Sequence, residues 1–265
     1  MIQLMIISIN IVLGLFTGFI AGLFGVGGGL VIVPVLVMIF SHYGFDASVI
    51  VHMAVGTSLA TIIFTSISSV RAHHKHRAVL WPQVWQFAPG ILLGAFVGAF
   101  VADAMSSTFL KRFFAIFELA VAAQMWFELK PDAARALPGR FAMASTGVGI
   151  GVISAIVGIG GGTLTVPFLV WCNVVIQKAV ATSSAVGLPI AIAGAAGFIV
   201  AGWQHAALPE QSLGFVYWPA FLGIVVASVF SAPLGAWLAH RLPAKVLKKI
   251  FAIFIAILGI RMLLG

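Results

Sequence analysis

Apolar runs long enough to cross a lipid bilayer recur from one end of the sequence to the other. A helix needs about 17–25 mostly apolar residues to span the hydrocarbon core. The composition agrees, since 62% of the residues are hydrophobic and 8% are charged, whereas a typical soluble domain has about 25% charged residues. No soluble core could bury so much apolar surface. The sequence therefore predicts an all-α, polytopic integral membrane protein that has the lipid bilayer as its partner.

The net charge of +8 could indicate nucleic acid, but the Lys and Arg residues cluster in short loops. That clustering is typical of the cytoplasmic loops of membrane proteins, and we expect no nucleic-acid partner. The single cysteine, Cys172, excludes an internal disulfide and a cysteine-based metal site. The first 22 residues lack the basic start of a signal peptide and predict a retained first helix.

A glycine-rich motif occurs twice. Residues 25–29, "GVGGG", return 133 positions later as "GIGGG" at 158–162, and a proline follows five residues after each copy. A shift of 125 lays Thr57-Ser58 on Thr182-Ser183, and a shift of 137 lays "LKRFFAIF" on "LKKIFAIF". The chain is thus an internal duplication. We expect a first membrane repeat at 1–128, a cytoplasmic linker at 129–140 and a second repeat at 141–265.

Each repeat contains five apolar segments, and the second segment of each is short. A helix over 29–41 rises only about 20 Å, less than the roughly 30 Å of hydrocarbon. We therefore expect glycine-broken, partly re-entrant helices and either eight or ten passes. The expected segments are 3–22, 29–41, 48–70, 84–104, 109–127, 141–157, 162–172, 176–201, 214–239 and 249–264.

Charge predicts that the two repeats are inverted relative to each other. The loop at 71–80 has three basic residues, whereas its counterpart at 202–213 has none. Equivalent loops with opposite charge bias are expected when two repeats face opposite sides of a membrane. If 71–80 is cytoplasmic, 11 of the 14 Lys and Arg residues fall on that side, as the positive-inside rule requires.

The glycine breaks predict an anion site. Irregular backbone survives in a membrane only where protein or a water-filled cavity surrounds it. Helices that begin after Gly29 and Gly162 would point free N–H groups and positive dipole ends into the breaks. Hydroxyls of the Thr-Ser pairs, and of Ser184, lie in the next helix of each repeat. The alternative is that these glycines only allow close helix packing.

Two ionisable residues lie inside apolar segments. Glu118 is either a proton-coupling residue or a protonated carboxyl bonded to a neighbouring helix. Arg261 either extends to the interface or adds positive charge to an anion path. The histidines of "RAHHKHR" (71–77) lack the spacing of a zinc site, so we predict no metal and interpret this loop as a contact to anionic lipid. No nucleotide motif is present, and we predict no cofactor.

These motifs resemble those of the TauE/SafE sulfite exporter family, also called the toluene-sulfonate uptake permeases. The resemblance covers nearly the whole chain, with Ala181 where the first copy has Gly56. It implies a secondary transporter of the bacterial inner membrane that exports small sulfur-containing anions such as sulfite, sulfoacetate or other organosulfonates by alternating access. By motif, the substrate-binding residues would be Gly25, Gly27, Gly28, Gly29, Thr57, Ser58, Gly158, Gly160, Gly161, Gly162, Thr182 and Ser183.

Other functions are alternatives at this point. An anion channel, or a carrier for a different small organic anion, could use the same site. An accessory membrane subunit is a further alternative. An intramembrane enzyme is disfavoured because the apolar segments have no duplicated or clustered His, Asp, Glu or Cys that could carry acid–base or nucleophilic chemistry. The sequence leaves the oligomeric state undetermined.

Overall fold

The described part of the chain is almost entirely helical. The computed structural model describes residues 2–25, 27–127, 136–239, 241 and 244–264, without the side chains of residues 2–8 and 244–248. In chain order the elements are α1 (Ile2–Phe24), α2 (Gly29–His42), α3 (Ile50–Lys75), α4 (Trp81–Asp103), α5 (Ser107–Trp126), α6 (Arg140–Val157), α7 (Gly162–Trp171), α8 (Ile176–Ala201), β1 (Ser212–Leu213), β2 (Val216–Tyr217), α9 (Trp218–Ala239) and α10 (Ala244–Leu264).

The helices confirm the predicted class. By length and composition, five of the described helices can cross a membrane, namely α3, α4, α6, α8 and α9. Apolar helices below that length are Ile9–Phe24 within α1, together with α2 and α7. The chain is therefore an all-α, multi-pass membrane protein. The number of passes, eight or ten, stays a prediction.

The predicted start of the ninth helix is wrong. The segment expected at 214–239 begins as a helix only at Trp218, because the preceding residues form a small hairpin in which Ser212 pairs with Tyr217 and Leu213 with Val216. Gly214 turns the chain there with a φ of 53°. An apolar strand that continues directly into an apolar helix gives no change in composition at the boundary.

Most of the predicted cytoplasmic linker lies outside the described residues. This applies to residues 129–135, whereas residues 136–139 have no regular secondary structure and α6 begins at Arg140. The limits of the two membrane repeats stay predictions.

Glycines allow the long helices to pack closely. α1 packs mainly on α9, and α4 packs mainly on α6. A Cβ on Gly14 of α1 would meet the carbonyl of Ile224, and one on Gly147 of α6 would meet the carbonyl of Phe87. Small residues at such contacts let helix backbones approach each other in a membrane.

The directions of equivalent helices follow from their contacts. Gly56 of α3 approaches Phe198 of α8, while Ser66 further along α3 approaches Gly187. α3 and α8 therefore run antiparallel. α5 and α10 do the same, because Lys249 lies over the Trp126 ring and Gly259 lies against Ala115 and Leu119. Inversion of the two repeats stays a prediction, and these directions support it.

We expect Gly151→Val to destabilise the protein by about 1–3 kcal/mol, since small-to-large changes in a packed site cost that much. A Cβ on Gly151 would lie 2.7 Å from the Ile91 carbonyl of α4. Gly149→Val is the matched control on the same helix, because nothing lies within 4 Å of its Cβ position. Thermal unfolding in detergent measures the difference. Equal unfolding midpoints for the two variants would contradict the close α4–α6 contact.

Candidate functional site

The two glycine breaks lie against each other in the structure. A Cβ on Gly27 would lie 3.0 Å from the Cα of Gly160, and one on Gly29 would meet the carbonyl of Gly158. Gly27 also lies beside Ile62, near the middle of α3. The structure therefore brings the glycine-motif residues of both halves together at the mid-length of a long helix.

Both breaks end in the same backbone conformation. Gly28 precedes α2 with a φ of 82°, and Gly161 precedes α7 with a φ of 72°. This left-handed region suits glycine and is strained for other residues. Neither helix has a side-chain cap. The first N–H groups of a helix have no partner within it, and the contacts of Gly27 with Gly160 and of Gly29 with Gly158 bring the starts of α2 and α7 close together.

The Ser of each Thr-Ser pair binds the break of the opposite half. The Ser58 hydroxyl donates to the carbonyl of Gly158 (2.8 Å), and the Ser183 hydroxyl donates to the carbonyl of Gly25 (2.9 Å). All four groups are buried. These hydroxyl hydrogens are therefore committed to carbonyl oxygens, and the two bonds connect the repeats crosswise.

The Thr of each pair accepts a hydrogen bond from the backbone just before another helix. The Thr57 hydroxyl accepts a hydrogen bond from the N–H of Tyr217 (2.9 Å), and the Thr182 hydroxyl accepts one from the N–H of Leu80 (3.0 Å). Tyr217 ends the hairpin before α9, and Leu80 directly precedes α4. The two Thr-Ser pairs thus make equivalent contacts at opposite ends of the α3–α8 pair.

A narrow polar cleft borders the breaks. Four hydroxyls line it together with Ala21, Gly25, Gly27 and Gly160. The Thr65 hydroxyl pairs with Ser228 (2.9 Å), and the Ser69 hydroxyl donates to Ser184 (3.3 Å). The hydroxyl residues of the cleft are Thr65, Ser66, Ser69 and Ser184. No motif in the sequence indicated the three of them that lie on α3, although positions four apart share one helix face.

The opposite side of the breaks is apolar at the equivalent positions. A shift of 125 places Thr65, Ser66 and Ser69 on Ile190, Ala191 and Gly194. The same shift places Leu59 on Ser184. The Leu59 side chain fills the space beside Gly194, and the Ile190 side chain lies against Gly161. Only the side of the breaks toward the C-terminal end of α3 therefore carries this set of hydroxyls.

The two predicted ionisable residues do not line this cleft. Glu118 is fully buried in α5, and neither of its carboxyl oxygens has a hydrogen-bond partner among the described residues. Arg261 is exposed near the end of α10. Proton coupling by Glu118 and an anion-path role for Arg261 stay predictions.

Two histidines of the 71–77 loop make contacts within the chain. The ring of buried His73 is bonded to the carbonyl of Gly22 (3.2 Å), and the Trp81 indole N–H donates to Nδ1 of His74 (3.2 Å). Over the described residues, no three or more His, Cys, Asp or Glu side chains form a group that could hold a metal ion.

Comparison with known proteins gives matches along nearly the whole chain. Residues 10–262 match the model of the family described as Sulfite exporter TauE/SafE. A probable membrane transporter protein of Haemophilus influenzae is 38% identical over 260 residues, covering 97% of this chain and 98% of the relative. One from Methanocaldococcus jannaschii is 28% identical over 263 residues, covering 98% and 97%. No solved structure matches the chain.

We expect Ser58→Ala and Ser183→Ala each to cost about 1–3 kcal/mol of stability, the penalty for a buried polar group that loses its partner. Each change removes a buried hydroxyl that donates to a glycine carbonyl of the other half. Ser145→Ala is the control, because that exposed hydroxyl bonds only to the Phe141 carbonyl of its own helix. Thermal unfolding in detergent compares the three variants. A midpoint for Ser58→Ala equal to that of the control would refute the crosswise connection.

Proposed function

We propose a transport function for this chain, which belongs to the TauE/SafE sulfite exporter family. The Haemophilus influenzae and Methanocaldococcus jannaschii relatives are named probable membrane transporter proteins, which supports transport rather than an enzymatic reaction. Its cargo is a small sulfur-containing anion such as sulfite, sulfoacetate or another organosulfonate, moved outward across the bacterial inner membrane. The family's description supports the cargo and the direction.

The convergence of the two glycine breaks carries the proposal. N-terminal helix ends bind anions through free N–H groups and the helix dipole. The N-termini of α2 and α7 meet where Gly27 lies against Gly160. A compact oxyanion bound there would receive donors from both halves without a buried Lys or Arg. Because glycine has no side chain, the oxygens of the anion can approach the backbone N–H groups closely.

The Thr-Ser pairs have a defined role in this site. Ser58 and Ser183 donate to the carbonyls of the breaks, so they fix the backbone that binds the anion. These hydroxyls can donate to the anion only if their hydrogen bonds to those carbonyls first break. Thr65, Ser66 and Ser69 of the cleft add hydroxyls on one side.

Alternating access follows from the proposed inversion of the repeats. Equivalent helices run antiparallel in both the α3–α8 and the α5–α10 pair, as two oppositely oriented repeats require. The polar cleft lies toward the loop at 71–77, whose Arg71, Lys75 and Arg77 favour the cytoplasmic side. We therefore assign the cleft to the cytoplasmic half of the path, with Leu59 and Ile190 closing the other half. Glu118 is the candidate for proton coupling.

Transport by purified protein in liposomes tests the function. We expect saturable flux of sulfite or sulfoacetate that responds to an imposed pH gradient and excludes chloride. Rapid chloride flux that ignores the gradient would identify an anion channel instead. Saturable flux of an unrelated organic anion alone would refute the sulfur-anion cargo.

Substitution at the breaks tests the site in the same assay. Gly28→Val and Gly161→Val should each lower the transport rate at least about tenfold, because valine is strained at positive φ and its side chain would press on Thr17 or on Ile190, respectively. Gly149→Val, on an open helix face, should transport normally. Gel filtration checks that each variant is folded. Normal transport by folded Gly28→Val and Gly161→Val would refute the site.

A further inference from the structure

A second pocket lies at the N-terminal end of α3, away from the polar cleft. Its volume is about 340 Å³, and its walls come from the start of α3, the α4–α5 connection and the α8–α9 connection. Its buried lining residues are Val49, His52, Ser107 and Phe215, while Asp103, Thr108 and His205 are exposed at its rim. Neither the family resemblance nor the glycine breaks account for these residues.

His52, which lines this pocket, has an acceptor atom without a partner among the described residues. Its side chain is only 4% exposed, and Nε2 lies 3.0 Å from the carbonyl of Ala102 and 3.2 Å from that of Met105. Nε2 must carry the hydrogen, because a carbonyl oxygen can only accept. In a neutral ring Nδ1 is then an acceptor. Nδ1 is buried and has no hydrogen-bond partner in the described part of the chain.

Ser107, also a lining residue, has a hydroxyl without a partner in the described part of the chain, at the start of α5. It is 9% exposed, and its hydroxyl is buried without a partner among the residues described. Ser106 already caps α5 by accepting from the N–H of Phe109 (3.3 Å). The N–H groups of Ser107 and Thr108 start the helix and have no partner within it. This wall of the pocket therefore favours negatively charged oxygen.

We propose that this pocket binds a small oxyanion that also carries a hydroxyl or an acidic proton. Both side-chain atoms are buried in this structure, so binding includes a small rotation of Ser107 and of the His52 ring that turns them into the pocket. The oxyanion then accepts from the first N–H groups of α5 and from Ser107, while its own O–H donates to Nδ1 of His52. Nδ1 of His52 and the Ser107 hydroxyl, which cost free energy while they are buried without partners, then both form a hydrogen bond. Asp103 at the rim disfavours a doubly charged ligand, although water screens its exposed carboxylate.

The pocket is separate from the glycine breaks. Phe215 is 1% exposed, its ring stacks on His52 with 5.2 Å between ring centroids, and its carbonyl approaches Gly56. Phe215 therefore packs on α3 from His52 to Gly56, and Thr57 lies further along α3, nearer to the breaks. Binding in the pocket therefore requires neither an intact break nor transport.

Two probes that differ by one hydroxyl test the proposal. The purified full-length chain in detergent is titrated calorimetrically at neutral pH with 2-hydroxyethanesulfonate and with ethanesulfonate. We expect the hydroxyl compound to bind about tenfold more tightly, the effect of one hydrogen bond to a buried acceptor. His52→Gln retains a donor for the Ala102 and Met105 carbonyls but has no Nδ1, and it should abolish this preference.

Ser107→Ala supplies an independent variant. It should weaken both probes by about tenfold, whereas the control Ser145→Ala, on α6, should bind both as the unaltered chain does. If gel filtration shows that His52→Gln is misfolded, Ser107→Ala decides the question. The proposal is overturned if neither probe binds at millimolar concentration, if the unaltered chain binds both equally, or if folded His52→Gln and Ser107→Ala retain the original affinities.

Discussion

Lipid offers no partner to a peptide N–H or C=O group, so a broken helix inside a membrane depends on hydrogen bonds from the protein itself. Ser58 and Ser183 supply such bonds to the carbonyls of Gly158 and Gly25. Each half thereby stabilises the break of the other half. The contact between Gly27 and Gly160, and with it the meeting of two helix N-termini, depends on this exchange.

The two halves agree in packing and differ in polarity. Gly14 and Gly147 occupy equivalent positions and meet equivalent carbonyls, those of Ile224 and Phe87. By contrast, Ser69 of the cleft has Gly194 as its equivalent. Shared contacts explain why both halves adopt the same arrangement of helices. The hydroxyls of Thr65, Ser66 and Ser69 have no hydroxyl at their equivalent positions, so the breaks have two different environments, which a protein that passes an anion from one face to the other can use.

The sequence predicted the helices and the two equivalent breaks, because bilayer-length apolar runs and a duplicated glycine motif can be read directly from the residues. It did not predict that the Ser58 hydroxyl binds a carbonyl 100 residues away, since no local pattern specifies that contact. Ser69 was missed because serine is common in membrane helices. Glu118 was predicted at depth and is buried, but its distance along the chain gave no information on whether it would reach the breaks.

Thiol labelling at Ser69 tests the central claim, that the breaks and the cleft form one anion site open to one side. With Cys172 replaced by alanine, a hydrophilic reagent is applied to Ser69→Cys from each side of the membrane, with and without sulfoacetate. Leu59→Cys, beyond the breaks, is the matched control. We predict that Ser69→Cys reacts from the side of the 71–77 loop, that sulfoacetate slows the reaction, and that Leu59→Cys does not react from that side. Labelling of Ser69→Cys from the opposite side, or at a rate that sulfoacetate leaves unchanged, would contradict the account.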